Sequence, residues 1–356
     1  MRFGLVLPIA RADGDLGRLL AEIAAETRAA ERAGFDAVFL PEFHQARGTG
    51  AVVSPLLVLA HLAARTESIR LGTAVLAGPL HHPVRLAEDI SMLDHLSGGR
   101  VILGLGSGHQ EVDFAAFGVP HAERARILDE VLDVLEAAFS GRPFRYEGRH
   151  LRLESVGVTP RPLTRPRPEI WIGAHSRDGL DRAARRAERW LADPQRDVRS
   201  VARLAALYRE RCAAHGTRPR VAMFREAWIA DSRAQAERDW GPGALAVHRF
   251  YWHLGTYRSR FEPWIADVRD REDFTLDRVA PGRFLMGSGP EIRDQVTEWA
   301  RLTGADYFAL RFRQPTGPGH EAVLEALGRF GEEVISRLAP DLAAADRGAG
   351  AEERLK

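Results

Sequence analysis

The stretch from residue 69 to 108, IRLGTAVLAGPLHHPVRLAEDISMLDHLSGGRVILGLGSG, restricts the possible folds more than any other. Residues 69–75 form a short β-branched apolar run that reads as a buried strand. A loop with Gly78, Pro79 and Pro83 follows, then a helical pattern over 85–96 stopped by Ser97, Gly98 and Gly99. Residues 101–105 read as the next strand, ending in Gly104-Leu105-Gly106-Ser107-Gly108, where backbone can approach a ligand closely. Strand, helix, strand with short connections is a βαβ unit, which implies parallel strands. A ligand belongs where the two strands end.

The same alternation extends along the chain. Strands are expected over 3–8, 35–40, 69–75, 101–105, 169–172, near Trp190, over 220–230 and over 307–312. Helical patterns fall between them. That is about eight βα units, with no Rossmann GxGxxG after the first strand. The expected fold is therefore a single (β/α)8 TIM barrel over 1–340, with its active site at the C-terminal strand ends. Insertions are expected near 141–168, as a small hairpin, and near 240–286. The second is rich in aromatics, among them Trp240, Phe250, Tyr251, Trp252, Tyr257, Phe261 and Trp264. It reads equally as a cover over the barrel mouth or as a packed structural insertion. Residues 341–356, rich in Ala, Arg, Glu and Gly, read as a flexible tail.

The charge balance of 50 Lys and Arg against 49 Asp and Glu leaves no basic footprint for nucleic acid. No run approaches the roughly 18 apolar residues of a membrane span. The single cysteine, Cys212, excludes an intrachain disulfide and points to a reducing, cytoplasmic setting. The first ten residues read as a buried strand and not as a secretion signal.

Three strand ends carry unusual chemistry. The second delivers Glu42, Phe43 and His44; the fourth Gly106, Ser107 and Gly108; the fifth Gly173, Ala174, His175 and Ser176 ahead of a helix. Free amides at a helix start beside a hydroxyl and an imidazole suit a phosphate. Ser176 as a plain helix cap is the alternative. His81 and His82 are adjacent and point different ways, without a carboxylate at ligand spacing, so no metal site is expected. Ser107 lacks the glycine two residues before it that a nucleophile elbow needs.

GFDAVFLPE (34–42), LAARTESIRLGTAV (62–75), HPVRLAEDISMLDHLSGGR (82–100), GLGSG with DFAAFGV (104–119), WIGAHS (171–176) and GSGPEI (287–292) together resemble the bacterial luciferase-like flavin monooxygenases. The resemblance implies reduced FMN across the strand ends, with its phosphate near Gly106, Ser107, Gly108, Gly173, Ala174, His175 and Ser176. Thr73, Ala74 and Val75 would lie beside the isoalloxazine, where relatives often carry a non-proline cis peptide. The family's Glu-His-His after strand two reads Glu42-Phe43-His44 here. His44 would then handle protons with Glu42 orienting it, or Phe43 would shape an apolar substrate pocket together with His82. The function implied is a two-component monooxygenase, fed reduced FMN by a separate flavin reductase and oxygenating a small organic substrate. The alternatives are a deazaflavin-dependent hydride-transfer enzyme and a flavin-binding protein without turnover. A homodimer through the helices after strands two and three would follow family habit.

Overall fold

The computed structural model describes residues 1–11, 13–44, 50–257 and 262–338. Phe261 and the 341–356 tail lie outside these. Eight parallel strands close into a barrel: β1 (Arg2–Val6), β2 (Ala37–Leu40), β3 (Arg70–Thr73), β4 (Val101–Gly106), β5 (Glu169–Gly173), β6 (Arg189–Ala192), β7 (Val221–Ile229) and β8 (Ala305–Arg311). Closure comes from β4 pairing β5, Ile102 opposite Glu169, and from β8 pairing β1, Tyr307 opposite Arg2.

The barrel interior explains several glycines. Phe39, Trp171 and Tyr307 fill its centre with rings 4.9–6.1 Å apart. A Cβ on Gly4 or on Gly72 would stand 2.5 Å from the Phe39 ring, so these two positions are hollowed out for one large side chain. Below this layer, Arg189 sits 5.2 Å from the Trp171 ring and 5.3 Å from that of Tyr307, and pairs with Asp306. The N-terminal end is plugged.

Helices cover the outside. Helix Leu16–Arg32 starts on an Asp15 cap that accepts from the Arg18 amide, and helix Pro83–Ser97 ends on left-handed Gly98. Between β4 and β5 stand helix Arg124–Phe139 and an antiparallel hairpin, Phe144–Glu147 with Arg152–Val156. No helix among the described residues is long and apolar enough to cross a membrane.

The described residues of the 232–287 region are packed. Helices Arg233–Asp239 and Gly241–His253 bury Trp240, Tyr251, Tyr257 and Phe274, and the Trp240 indole donates to the Phe312 carbonyl at 2.7 Å. Phe250 remains exposed. The region ends in a strand that periodicity does not announce, Phe284–Gly287. It pairs only with the overhanging end of β7, Glu226 opposite Phe284, outside the closed ring. Four residues with no polar alternation carry no strand signal of their own.

Candidate active site

The C-terminal strand ends gather most of the expected residues at one rim. After β2, Glu42 is buried: it accepts from the Ala77 amide at 2.7 Å and from His81 Nε2 at 2.8 Å. His44 Nε2 lies 3.4 Å from the same carboxylate, an ion-pair contact without the alignment of a hydrogen bond, and its ring packs 4.7 Å from Phe117. Burial pushes the Glu42 carboxyl up, yet His44, His81 and the Ala77 amide together hold it at about 2. Glu42 in turn raises His44, against a smaller lowering by burial, with Asp113 adding to the rise. Phe43 is half-buried between the two. His82 stays exposed at the start of helix Pro83–Ser97, and its neighbour His81 is the histidine that turns inward.

β3 and β4 lock together through Thr73. Its hydroxyl donates to the Gly104 carbonyl at 2.8 Å and accepts from the Gly104 amide at 2.9 Å, so Thr73 is committed within the protein. The peptide between Ala74 and Val75 is cis. Val75 then lies across two glycines: a Cβ on Gly106 would meet it at 2.8 Å, and one on Gly173 at 3.3 Å. Val75, seated where those two glycines carry no side chain, thus floors one side of the mouth with a small apolar surface, a shelf that suits a flat ring system.

Beyond the shelf lies a rim of histidines with Arg124 among them. His175 is 57% exposed and stands 3.7 Å from Asp193. His109, directly after the GLGSG turn, is exposed. The surrounding protein lowers its proton affinity first, and the positive fields of His175, His121 and Arg124 lower it further. Arg124 and three histidines gathered here make a place for an anion. Ser107 is half-buried, with no hydrogen-bond partner for its hydroxyl among the described residues. Ser176 caps helix Arg177–Arg186, accepting from the Gly179 amide at 3.1 Å, so the capping role is filled. The Ala174 carbonyl accepts from the Trp190 indole at 2.8 Å. Gly108 takes φ +71, and a Cβ there would strike Phe114. Shelf and rim together fit a flavin carrying a phosphate.

The opposite side of the mouth was not anticipated. Glu226 on β7 is fully buried and accepts from Arg311 Nε at 2.9 Å, from Arg311 Nη2, from Gln314 Nε2 at 2.7 Å and from His248 Nε2 at 3.2 Å. The Tyr257 hydroxyl donates to His248 Nδ1 behind it. Burial raises the Glu226 carboxyl, but Arg311 and His248 outweigh it and hold it at about 2. Burial keeps His248 below its ordinary value despite Glu226, hence neutral. The signal available in the sequence was the in-facing row Ala222, Phe224, Glu226 and its register partner row Tyr307, Ala309, Arg311.

Comparison with known proteins gives three further observations. A family model described as luciferase-like monooxygenase matches residues 1–307. Among curated proteins, 4-hydroxyprotoasukamycin monooxygenase of Streptomyces nodosus is 31% identical over 75% of this chain and 78% of its own. The F420-dependent glucose-6-phosphate dehydrogenase of Microbacterium testaceum is 28% identical over 87% and 90%. Two Sinorhizobium fredii proteins, y4vJ and y4wF, are 39% identical, but this chain spans only about half of their length, 44% and 48%. Among solved structures, the oxygenating constituent of 3,6-diketocamphane monooxygenase from Pseudomonas putida, in complex with FMN, shares the fold. It superposes with a TM-score of 0.77 over 95% of this chain and 98% of that one, at 20% identity.

Proposed function

The chain belongs to the luciferase-like monooxygenase family, and on that premise we propose that it is a flavin-dependent oxidoreductase, the oxygenase of a two-component FMN system. A separate reductase supplies reduced FMN, and one oxygen atom enters a small organic substrate. The observation that carries this reading is the Val75 shelf, seated on Gly106 and Gly173, beside the His109, His175 and Arg124 rim. When bound there, the reduced flavin supplies the electrons for oxygen activation.

This chain's own residues then do three things. The shelf and rim bind and orient: Ser107 and His175 are placed to take phosphate oxygens, with Gly108 opening the turn. Ser176 holds its helix start in place, and Thr73 fixes the shelf by tying β3 to β4. Glu42 raises the proton affinity of His44 at the edge of the site, where it can hold or deliver a proton, and His81 fixes the carboxylate that does so. The packed 232–287 region walls off one side from water.

A hydride-transfer reading with a deazaflavin draws support from the F420-dependent relative. A homodimer through the helices after β2 and β3 draws support from an exposed apolar set there: Leu57 is 72% exposed and Leu96 59% exposed. The deciding experiment mixes the protein with photoreduced FMN and then oxygen in a stopped-flow cell. Reoxidation at a rate distinct from free FMN is expected. A rate identical to free FMN, with tight binding of F420, would replace the oxygenase reading by hydride transfer.

A further inference from the structure

Alternate residues of a barrel strand face the same way, so the uppermost inward layer can be read strand by strand. Ala74, Gly106 and Gly173 supply one side of it. Asp193, Glu226 and Arg311, each two residues beyond an interior residue of its strand, supply the other. The first side is a shelf without functional groups, and the second is entirely ionisable.

The hydrogen-bond accounting of that second side is one-sided. Both Glu226 oxygens are taken, Oε1 by His248 and Arg311, Oε2 by Arg311 and Gln314. Asp193 Oδ1 accepts from the Gln195 and Arg196 amides at 3.0 and 3.2 Å, and Oδ2 faces His175. The carboxylate oxygens of the layer are all engaged, while Gln314 Oε1 beside them has no partner among the described residues. Arg311 is different, because a guanidinium has five N–H groups. Nε and one N–H of Nη2 go to Glu226, and one N–H of Nη1 goes to the Tyr251 hydroxyl at 3.2 Å. Among the described residues the second N–H of Nη1 and that of Nη2 have no partner. The Arg311 side chain is 11% exposed and stands at the top of an inward row above a plugged barrel.

Charge decides what those donors can take. The layer holds one base against two acids, and the Arg311 charge is already matched by a bidentate carboxylate. An added carboxylate would be buried without a counter-charge, whereas a neutral acceptor would need none. Resting on the oxygenase reading above, we propose that Arg311 is the specificity-determining residue of this site: clamped by Glu226 and Tyr251, its two remaining N–H groups grip the carbonyl oxygen of a neutral ketone-class substrate. Gln314 and His248 are positioning residues that hold the clamp from behind.

The test is titration calorimetry of the full chain with cyclohexanone and with cyclohexanecarboxylate. It is run on the unsubstituted protein and on a double variant, Glu226→Gln with Arg311→Gln, which removes the guanidinium and keeps the layer's balance. The unsubstituted protein is expected to bind the ketone about tenfold or more tightly than the carboxylate, the scale of a hydrogen bond to a charged donor. The double variant should lose that preference. Should it melt early, Arg311→Lys, which keeps the charge but not the fork, should lose the preference likewise. Equal or tighter binding of the carboxylate, binding of neither probe, or a preference that survives both variants overturns the assignment. FMN binding, followed in parallel by flavin fluorescence, separates the two readings. If FMN fails to bind, the cofactor reading falls while the ketone preference still stands or falls by itself.

Discussion

On the side of β3, β4 and β5 the barrel mouth is floored by Val75, seated on Gly106 and Gly173, and edged by exposed histidines. On the side of β7 and β8 it is walled by Glu226, His248, Arg311 and Gln314, almost all fully buried. The first side makes room: its functional groups hold few protein partners and await a ligand. The second is mostly committed within the protein, with one carboxylate serving three side chains. A surface meant to receive a large cofactor keeps its bonds open, while a surface meant to hold one group at a fixed angle uses up nearly all of its own. Stability should therefore depend heavily on the second side, and flavin affinity on the first.

The largest effect that could break this contrast is at Glu226. Glu226→Ala leaves Arg311 and His248 buried without their partner, and a loss of about 3–5 kcal/mol is expected by chemical denaturation. A loss below about 1 kcal/mol would mean that this wall is no anchor. Next comes Gly104, whose added Cβ would stand 1.9 Å from the Thr73 carbonyl oxygen. Gly104→Ala should cost about 1–3 kcal/mol and also weaken FMN binding, since β3 must move. Destabilisation with unchanged FMN affinity would uncouple the shelf from that strand pair.

Ser176→Ala sharpens the comparison. Loss of the cap should cost about 1 kcal/mol with little change in FMN affinity. A fall in affinity beyond tenfold with unchanged stability would instead make the hydroxyl a phosphate ligand. The smallest effect is a titration. Because Glu42 raises His44, the imidazole should titrate above its ordinary 6.5 by NMR, and Glu42→Gln should bring it back down. The raised value stabilises the fold below pH 6.5 and that contribution is lost as pH rises through the folded value. The stability gap between the two proteins should therefore be wider at pH 6 than at pH 8.5. A gap independent of pH would show that His44 does not feel Glu42.

The barrel was legible because its signal is repeated. Each strand is a short apolar run closed by glycine or proline chemistry, and the GLGSG and GAHS turns mark their own strand ends. Glu42 and His44 were legible for the same reason, lying directly past β2. Three things were not. His81 looked like half of an idle pair, because nothing local tells which of two adjacent histidines turns toward a carboxylate 39 residues earlier. Glu226 and Arg311 sit 85 residues apart and are joined only by strand register. His248 and Tyr257 belong to a region whose helices are ordinary and whose packing is set by β7 and Phe312. Long-range pairing, not residue type, was the missing information.

The pairing of Arg2 with Tyr307 has a consequence for the growing chain. The first strand leaves the ribosome about 300 residues before its neighbour exists, and for that whole interval it offers a bare, apolar hydrogen-bonding edge. A chain broken off before residue 305 would not be a smaller version of this protein. It would be an open curved sheet with two sticky margins, and self-association during synthesis, not loss of a helix, is the hazard its makers would meet first.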